Sequence, residues 1–214
     1  MLTTNHDFEE YLKNHTTAVN EVLEELTRHT YLTTYNPRMI SGPIQGKFIE
    51  MICHMLQPNR VLEIGTFTGY STICIAEALP DGKYIDTIEV NDELQETIQY
   101  FMAKAGVSNR VNLIIGNALE IIPTLAYQYD LIYIDGEKKE YPQYLSLCLD
   151  KLNKGGFLIA DNVLWNGKVI DPTCNDEQTN AIRLFNKMVK ENGNLENVLL
   201  PVRDGMMIVR KKFR

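Results

Sequence analysis

The chain of 214 residues is 44% hydrophobic and 23% charged, the balance of an ordinary globular protein long enough to bury a large core. Its 28 acidic residues outnumber 21 basic ones, giving a net charge of −7, so the surface as a whole repels polyanions and nothing asks for a basic nucleic-acid groove. Four scattered cysteines lack the spacing of a disulfide framework or a zinc site, and no apolar run approaches membrane-spanning length.

The opening stretch MLTTNHDFEEYLKNH has no basic segment followed by an apolar one. Together with reduced, mostly buried thiols at Cys53, Cys74, Cys148 and Cys174, this makes the cytoplasm the expected location. The histidines (His6, His15, His29, His54) share no ligand spacing. From about Asp7 to Arg28, Phe8, Leu12, Val19, Val22, Leu23 and Leu26 recur among charges and predict one amphipathic helix. The turn-rich loop TTYNPRMISGP follows, then a helix from about Ile44 to Leu56 that stops before Pro58. Residues 1–58 form a helical cap on a core of residues 59–214, and with no repeat or linker the expectation is a single domain, 1–214.

From Arg60 the pattern alternates. Strand-like runs RVLEIG, YIDTIEV, VNLIIG, DLIYID and GGFLIAD are separated by the helix-like STICIAEAL, DELQETIQYFMAKAG, ALEIIPTL and YPQYLSLCLDKL. Strands apolar on both faces with crossover helices between them predict an α/β fold, a doubly wound parallel sheet covered on each side. The last third differs: a helix over DEQTNAIRLFNKMVKEN, then ENVLLPV and GMMIVRK joined by the hairpin-like RDG, so the sheet should end in an antiparallel strand.

VLEIGTFTGYST sets Gly65 and Gly69 between a buried strand and a helix, where a nucleotide-like ligand meets backbone and helix N-terminus. A dinucleotide fingerprint would place glycine where Phe67 stands, and a phosphate loop would need Gly-Lys-Ser/Thr; both drop out. Glu63 lies inside the first strand, where a carboxylate is costly unless a cation or hydrogen bonds answer it. It is either a cofactor contact or a structural carboxylate. Glu89 ends the second strand, where a carboxylate commonly grips ribose hydroxyls. A ligand with an amino acid moiety, a sulfonium, a ribose and no phosphate suits both acids: S-adenosylmethionine.

Asp135 ends the fourth strand and Asp161-Asn162 the fifth. If those strands are neighbours, two carboxylates and an amide converge beside the glycine turn, a donor set that suits a hard cation such as Mg²⁺. Taken singly, each is an ordinary turn former or helix cap, and GEKKE is an ordinary solvated loop; their coincidence favours the metal. Lys138, three residues past Asp135, is then the candidate base for an acceptor hydroxyl, provided the neighbouring cation depresses its pKa.

On LEIGTFTGYS, GNALE, YIDGEKKEYPQY, ADNVLWNGKVIDP and TNAIRLFN the chain resembles the cation-dependent O-methyltransferases, the family of catechol and caffeoyl-coenzyme A O-methyltransferases and bacterial relatives, from NPRMISGPIQGKF to DGMMIVRKK. The resemblance implies a Rossmann-like seven-stranded sheet with an antiparallel last strand, and a homodimer. It implies Asp135, Asp161 and Asn162 as metal ligands and Lys138 as the base. Met39, Ser41, Glu63, Gly65, Ser71, Glu89, Ala118 and Asp135 become cofactor contacts. Where the family often reads DADK the chain reads DGEK at 135–138, with Gly136 and Glu137 beside the metal and Lys139 next to Lys138, and it carries Asn117 where an acid is expected. The expected reaction is Mg²⁺-dependent methylation of a catechol-like hydroxylated aromatic. A second reading, methylation of 5-hydroxyuridine at the wobble position of tRNA, uses the same metal site; the acidic composition favours the small molecule.

Overall fold

The computed structural model describes residues 6–213, with side chains from residue 8 onward. The first five residues, part of the stretch in which no leader segment is expected, lie outside the described residues. A seven-stranded sheet runs in the order β3-β2-β1-β4-β5-β7-β6, with β1 Arg60–Ile64, β2 Tyr84–Glu89, β3 Val111–Ile115, β4 Tyr129–Ile134, β5 Leu152–Asp161, β6 Leu195–Leu200 and β7 Met206–Lys211. The first five strands are mutually parallel, and β7 is antiparallel to both β5 and β6.

Alternation along each strand divides the core in two. Val61, Ile85, Leu131, Tyr133 and Ile159 face one side and pack with α2 (Glu21–Thr33), α3 (Gly42–Leu56), α4 (Tyr70–Ala78) and α5 (Gln95–Lys104). Leu62, Ile64, Ile132, Ile134, Leu158 and Ala160 face the other and pack with α6 (Ala118–Thr124), α7 (Tyr141–Lys151) and α8 (Glu177–Glu191). Coverage on both faces is why these strands read as unbroken apolar runs.

One expectation changes. The helix predicted over 7–28 is two: α1 (His6–Asn14) and α2. The break comes at Asn20, whose side chain accepts from Leu23 N at 3.0 Å and caps α2, while the Thr16 hydroxyl turns back to the Leu12 carbonyl at 2.7 Å. Glu21 and Glu24 then sit in the first turn of α2, where the helix dipole favours acids. The antiparallel strand is the last in the chain, as expected, but it is internal to the sheet; the edge strand is β6, parallel to the first five. Burial explains the order. β7 has Met206, Met207 and Val209 buried, whereas Glu196, Asn197 and Val198 of β6 are exposed, and the polar strand takes the edge. Among the described residues no helix is long and apolar enough to cross a membrane.

Candidate active site

The strand order reverses between β1 and β4, and in an open parallel sheet ligands gather outside the carboxyl ends of the strands at that point. There the structure has a cavity of about 880 Å³. Met39, Ser41, Gly65, Ser71, Glu89, Ala118, Asp135, Lys138, Asp161 and Asn162 all line it. Of the residues expected at the site, Glu63 alone does not.

The glycine turn is shaped by a close approach of two backbones. Gly65 has φ +96°, and a Cβ there would collide with the Asp135 carbonyl, 2.7 Å from its carbon. The turn holds its register through Gly65 N donating to the Ile88 carbonyl at 3.0 Å and Asp135 N donating to the Ile64 carbonyl at 2.8 Å. Phe67 adopts a left-handed φ of +50° without being glycine, and its N–H donates to Glu89 Oε2 at 2.7 Å. Asn91 N donates to Glu89 Oε1 at 2.9 Å. Burial raises the Glu89 pKa, opposed by these backbone donors. The carboxylate is therefore aimed into the cavity by the main chain on both sides.

Glu63, expected as a cofactor contact, lies behind the cavity wall and does not line it. It is fully buried, and its carboxylate accepts from Ser71 Oγ at 2.6 Å, from Thr87 Oγ1 at 2.7 Å and from Thr72 Oγ1. Three hydroxyls answer the charge. Burial pushes its pKa up to about 7 against their pull. It touches the cavity only through Ser71, a cavity-lining residue that it orients. Asn117, where an acid is expected, caps α6 by accepting from Leu119 N at 2.8 Å, which sets Ala118 at the wall.

The acid-amide cluster assembles as the strand pairing requires, since β4 and β5 are direct neighbours. Asp135 accepts from Lys138 Nζ at 2.9 Å, and Lys138 also donates to the Tyr141 hydroxyl at 2.8 Å. Tyr141 in turn donates to the Asp161 backbone carbonyl at 2.8 Å, joining the two strand ends. Burial lowers the Lys138 pKa, but Asp135 and Tyr141 outweigh it and hold the ammonium well above its ordinary value. Lys139 points elsewhere, exposed and 3.7 Å from Glu177.

Asp161 is 3% exposed. One oxygen, Oδ2, accepts from Gln45 Nε2 at 2.5 Å; the other, Oδ1, is buried without a partner. An unanswered carboxylate oxygen is costly in isolation, and burial followed by the nearby Asp135 charge raises its pKa to about 6. Asn162 follows with a left-handed φ of +58°. Among the described residues no three histidine, cysteine or carboxylate side chains gather as a metal cage. A cation here would rest on two carboxylates and one amide, and the orphan Oδ1 fits that role.

Three polar residues of the site escaped the sequence reading. Gln45 is buried, with its amide between Asp161, the Tyr133 hydroxyl (2.6 Å) and Arg203. A lone glutamine on an apolar helix face was the available signal. Tyr141 lay in the YIDGEKKEY motif, three residues past Lys138. Arg203 belongs to the β6–β7 turn and reaches Gln45 across 158 residues, which no local pattern reports. Trp165 and Tyr144 add aromatic walls to the cavity, and the Trp165 indole nitrogen is buried without a partner.

Comparison with known proteins agrees with this geometry. A family model described as O-methyltransferase matches residues 13–212. A catechol O-methyltransferase of Niastella koreensis is 32% identical over 168 residues, covering 77% of this chain and 76% of that protein. A probable caffeoyl-CoA O-methyltransferase 2 of Dictyostelium discoideum is 30% identical over 213 residues, 97% of this chain and 92% of that one. The crystal structure of the O-methyltransferase TomG from Streptomyces achromogenes, in complex with SAM, superposes with a TM-score of 0.89 at 27% identity, covering 96% of each chain. With the family model spanning nearly its whole length, the chain belongs to the O-methyltransferase family.

Proposed function

We propose that the protein transfers a methyl group from S-adenosylmethionine to a hydroxyl of a catechol-like aromatic, with a divalent cation held by Asp135, Asp161 and Asn162. The observation that carries the cation is the buried, unpartnered Oδ1 of Asp161 at a strand end adjacent to Asp135. The SAM-bound relative supports the cofactor, and the catechol and caffeoyl-CoA relatives support a phenolic acceptor.

When bound, the cofactor supplies the methyl group on a sulfonium. A divalent cation supplies positive charge that offsets the roughly 4 kcal/mol needed to ionise a phenol at neutral pH. The chain's own residues do the rest. Glu89, aimed by Phe67 and Asn91, accepts hydrogen bonds from the ribose hydroxyls. Gly65 lets the cofactor approach the backbone, with Ser71 and Ser41 at the amino acid end and Met39 and Ala118 on the walls. Trp165 and Tyr144 give an aromatic acceptor a flat surface. Transfer to an aligned oxygen is then mainly a matter of positioning.

Lys138 is the candidate base. Its ammonium donates to Asp135 and to Tyr141, and a cation held by Asp135 would weaken that hold on the proton and lower the amine's proton affinity.

The test is methylation of a catechol panel with excess chelator, then with Mg²⁺ restored, alongside Asp161→Ala. Turnover should vanish with chelator, return with Mg²⁺, and fall by at least three orders of magnitude in the folded variant. Full turnover in chelator would remove the cation from the mechanism. No catechol turnover combined with methylation of hypomodified tRNA would replace the acceptor.

A further inference from the structure

We infer that Arg203, acting through Gln45, is a positioning residue that sets the Asp161 carboxylate in the orientation a divalent cation needs; this rests on the cation reading above. The chain of contacts is complete. Arg203 Nη1 donates to Gln45 Oε1 and to the Ser41 carbonyl. A guanidinium accepts nothing, so Gln45 must turn its oxygen toward Arg203. Its Nε2 is then committed to the other side, donating to Tyr133 at 2.6 Å and to Asp161 Oδ2 at 2.5 Å. The amide orientation is thereby decided by the arginine, and Asp161 is left with Oδ1 as its one oxygen without a partner.

The carboxylate is also held from behind, where Tyr141 fixes its backbone carbonyl. Only rotation about the side chain remains free, and that is the freedom Gln45 removes. With its oxygen unclaimed, the Gln45 amide could flip and set an acceptor against Asp161, repelling the carboxylate rather than holding it. Arg203 sits at a left-handed φ of +48° on an exposed turn. Its guanidinium adds no direct contact to Asp135, Asp161 or Asn162, so its influence on them runs through the amide. Partners of this kind, one step removed from a metal, typically alter affinity 10–100-fold when lost.

The experiment titrates Mn²⁺, which takes the same oxygen ligands as Mg²⁺, into the full chain and counts the free ion by electron paramagnetic resonance. Arg203→Met should bind Mn²⁺ at least tenfold more weakly than the wild type, with an unchanged melting temperature. Arg203→Lys, which still offers a donor to Gln45 Oε1, should recover part of the loss. Gln45→Leu should match Arg203→Met, and the double variant should be no worse than the weaker single, because the two act as one unit. Unchanged affinity in Arg203→Met, no recovery in Arg203→Lys, or additive losses would overturn the inference. Should Gln45→Leu fail to fold, the methionine and lysine variants of Arg203 decide alone. Wild type that binds no Mn²⁺, or binds it as Asp161→Ala does, would instead end the cation reading and this inference with it.

Discussion

Glu63 carries no surface exposure and three hydroxyl donors, and its charge has a measurable consequence for stability. Its pKa is about 7 in the folded protein against an ordinary 4.5, with burial as the chief cause. The folded state keeps a proton that the unfolded chain has released, so the stability this confers is full below about 4.5 and is lost as pH rises through 7. Glu63→Gln keeps the shape without the charge. The stability difference between variant and wild type should move in the variant's favour by about 3 kcal/mol from pH 4.5 to 8. Urea unfolding at pH 4.5 and pH 8 measures it, and an equal difference at both would mean that Glu63 does not titrate in this range. Sequence showed a charge in a buried strand and left its partner open. Ser71 and Thr72 stand in the same motif, but Thr87 comes from the neighbouring strand, so the trio exists only once β1 and β2 pair.

At the scale of elements, the site depends on how closely β1 and β4 approach at their carboxyl ends. Gly65→Ala drives a methyl into the Asp135 carbonyl and also needs a left-handed alanine. Gly82 provides the contrast, with φ +77° and open space around a Cβ. Gly82→Ala should lose only the conformational part, about 1 kcal/mol, and leave cofactor affinity unchanged. Gly65→Ala should lose more, on the order of 3 kcal/mol, and weaken S-adenosylmethionine binding by at least tenfold. Denaturant midpoints and calorimetry compare the two; equal losses would mean that the close approach relaxes freely. The strands were legible to within a few residues because short unbroken apolar runs, bounded by glycine and turn formers and alternating with longer helix-like segments, leave few alternatives. The split between α1 and α2 was missed because apolar spacing continues across it, while the cap that divides them is one asparagine side chain.

For the whole molecule, the net charge of −7 bears on the acceptor. A polyanionic RNA would be held partly by lysines and arginines neutralising phosphates, and its apparent affinity would fall steeply with salt. A small uncharged catechol has no such term. The expected outcome is an apparent KM for the catechol that stays within about twofold between 50 and 200 mM salt, the range over which several phosphate contacts would cost orders of magnitude. A steep dependence would point to a polyanionic acceptor.

What the sequence determined by itself was the set of local decisions: which segments are strands, where the chain turns on glycine, and which strand ends carry Glu89, Asp135, Asp161 and Asn162. These follow from periodicity and residue type over a few positions, and the strand–helix alternation makes a parallel sheet the compatible assembly. Tertiary structure decided what those residues face. Pairing β4 with β5 brought the acids together, burial left Asp161 with one unanswered oxygen, and the turn after β4 set Lys138 2.9 Å from Asp135. The hairpin placed Arg203 against Gln45 and Ser41, 158 and 162 residues away. Hydrogen-bond partners and pKa values depend on distance and solvent exclusion, and neither exists until distant segments have packed.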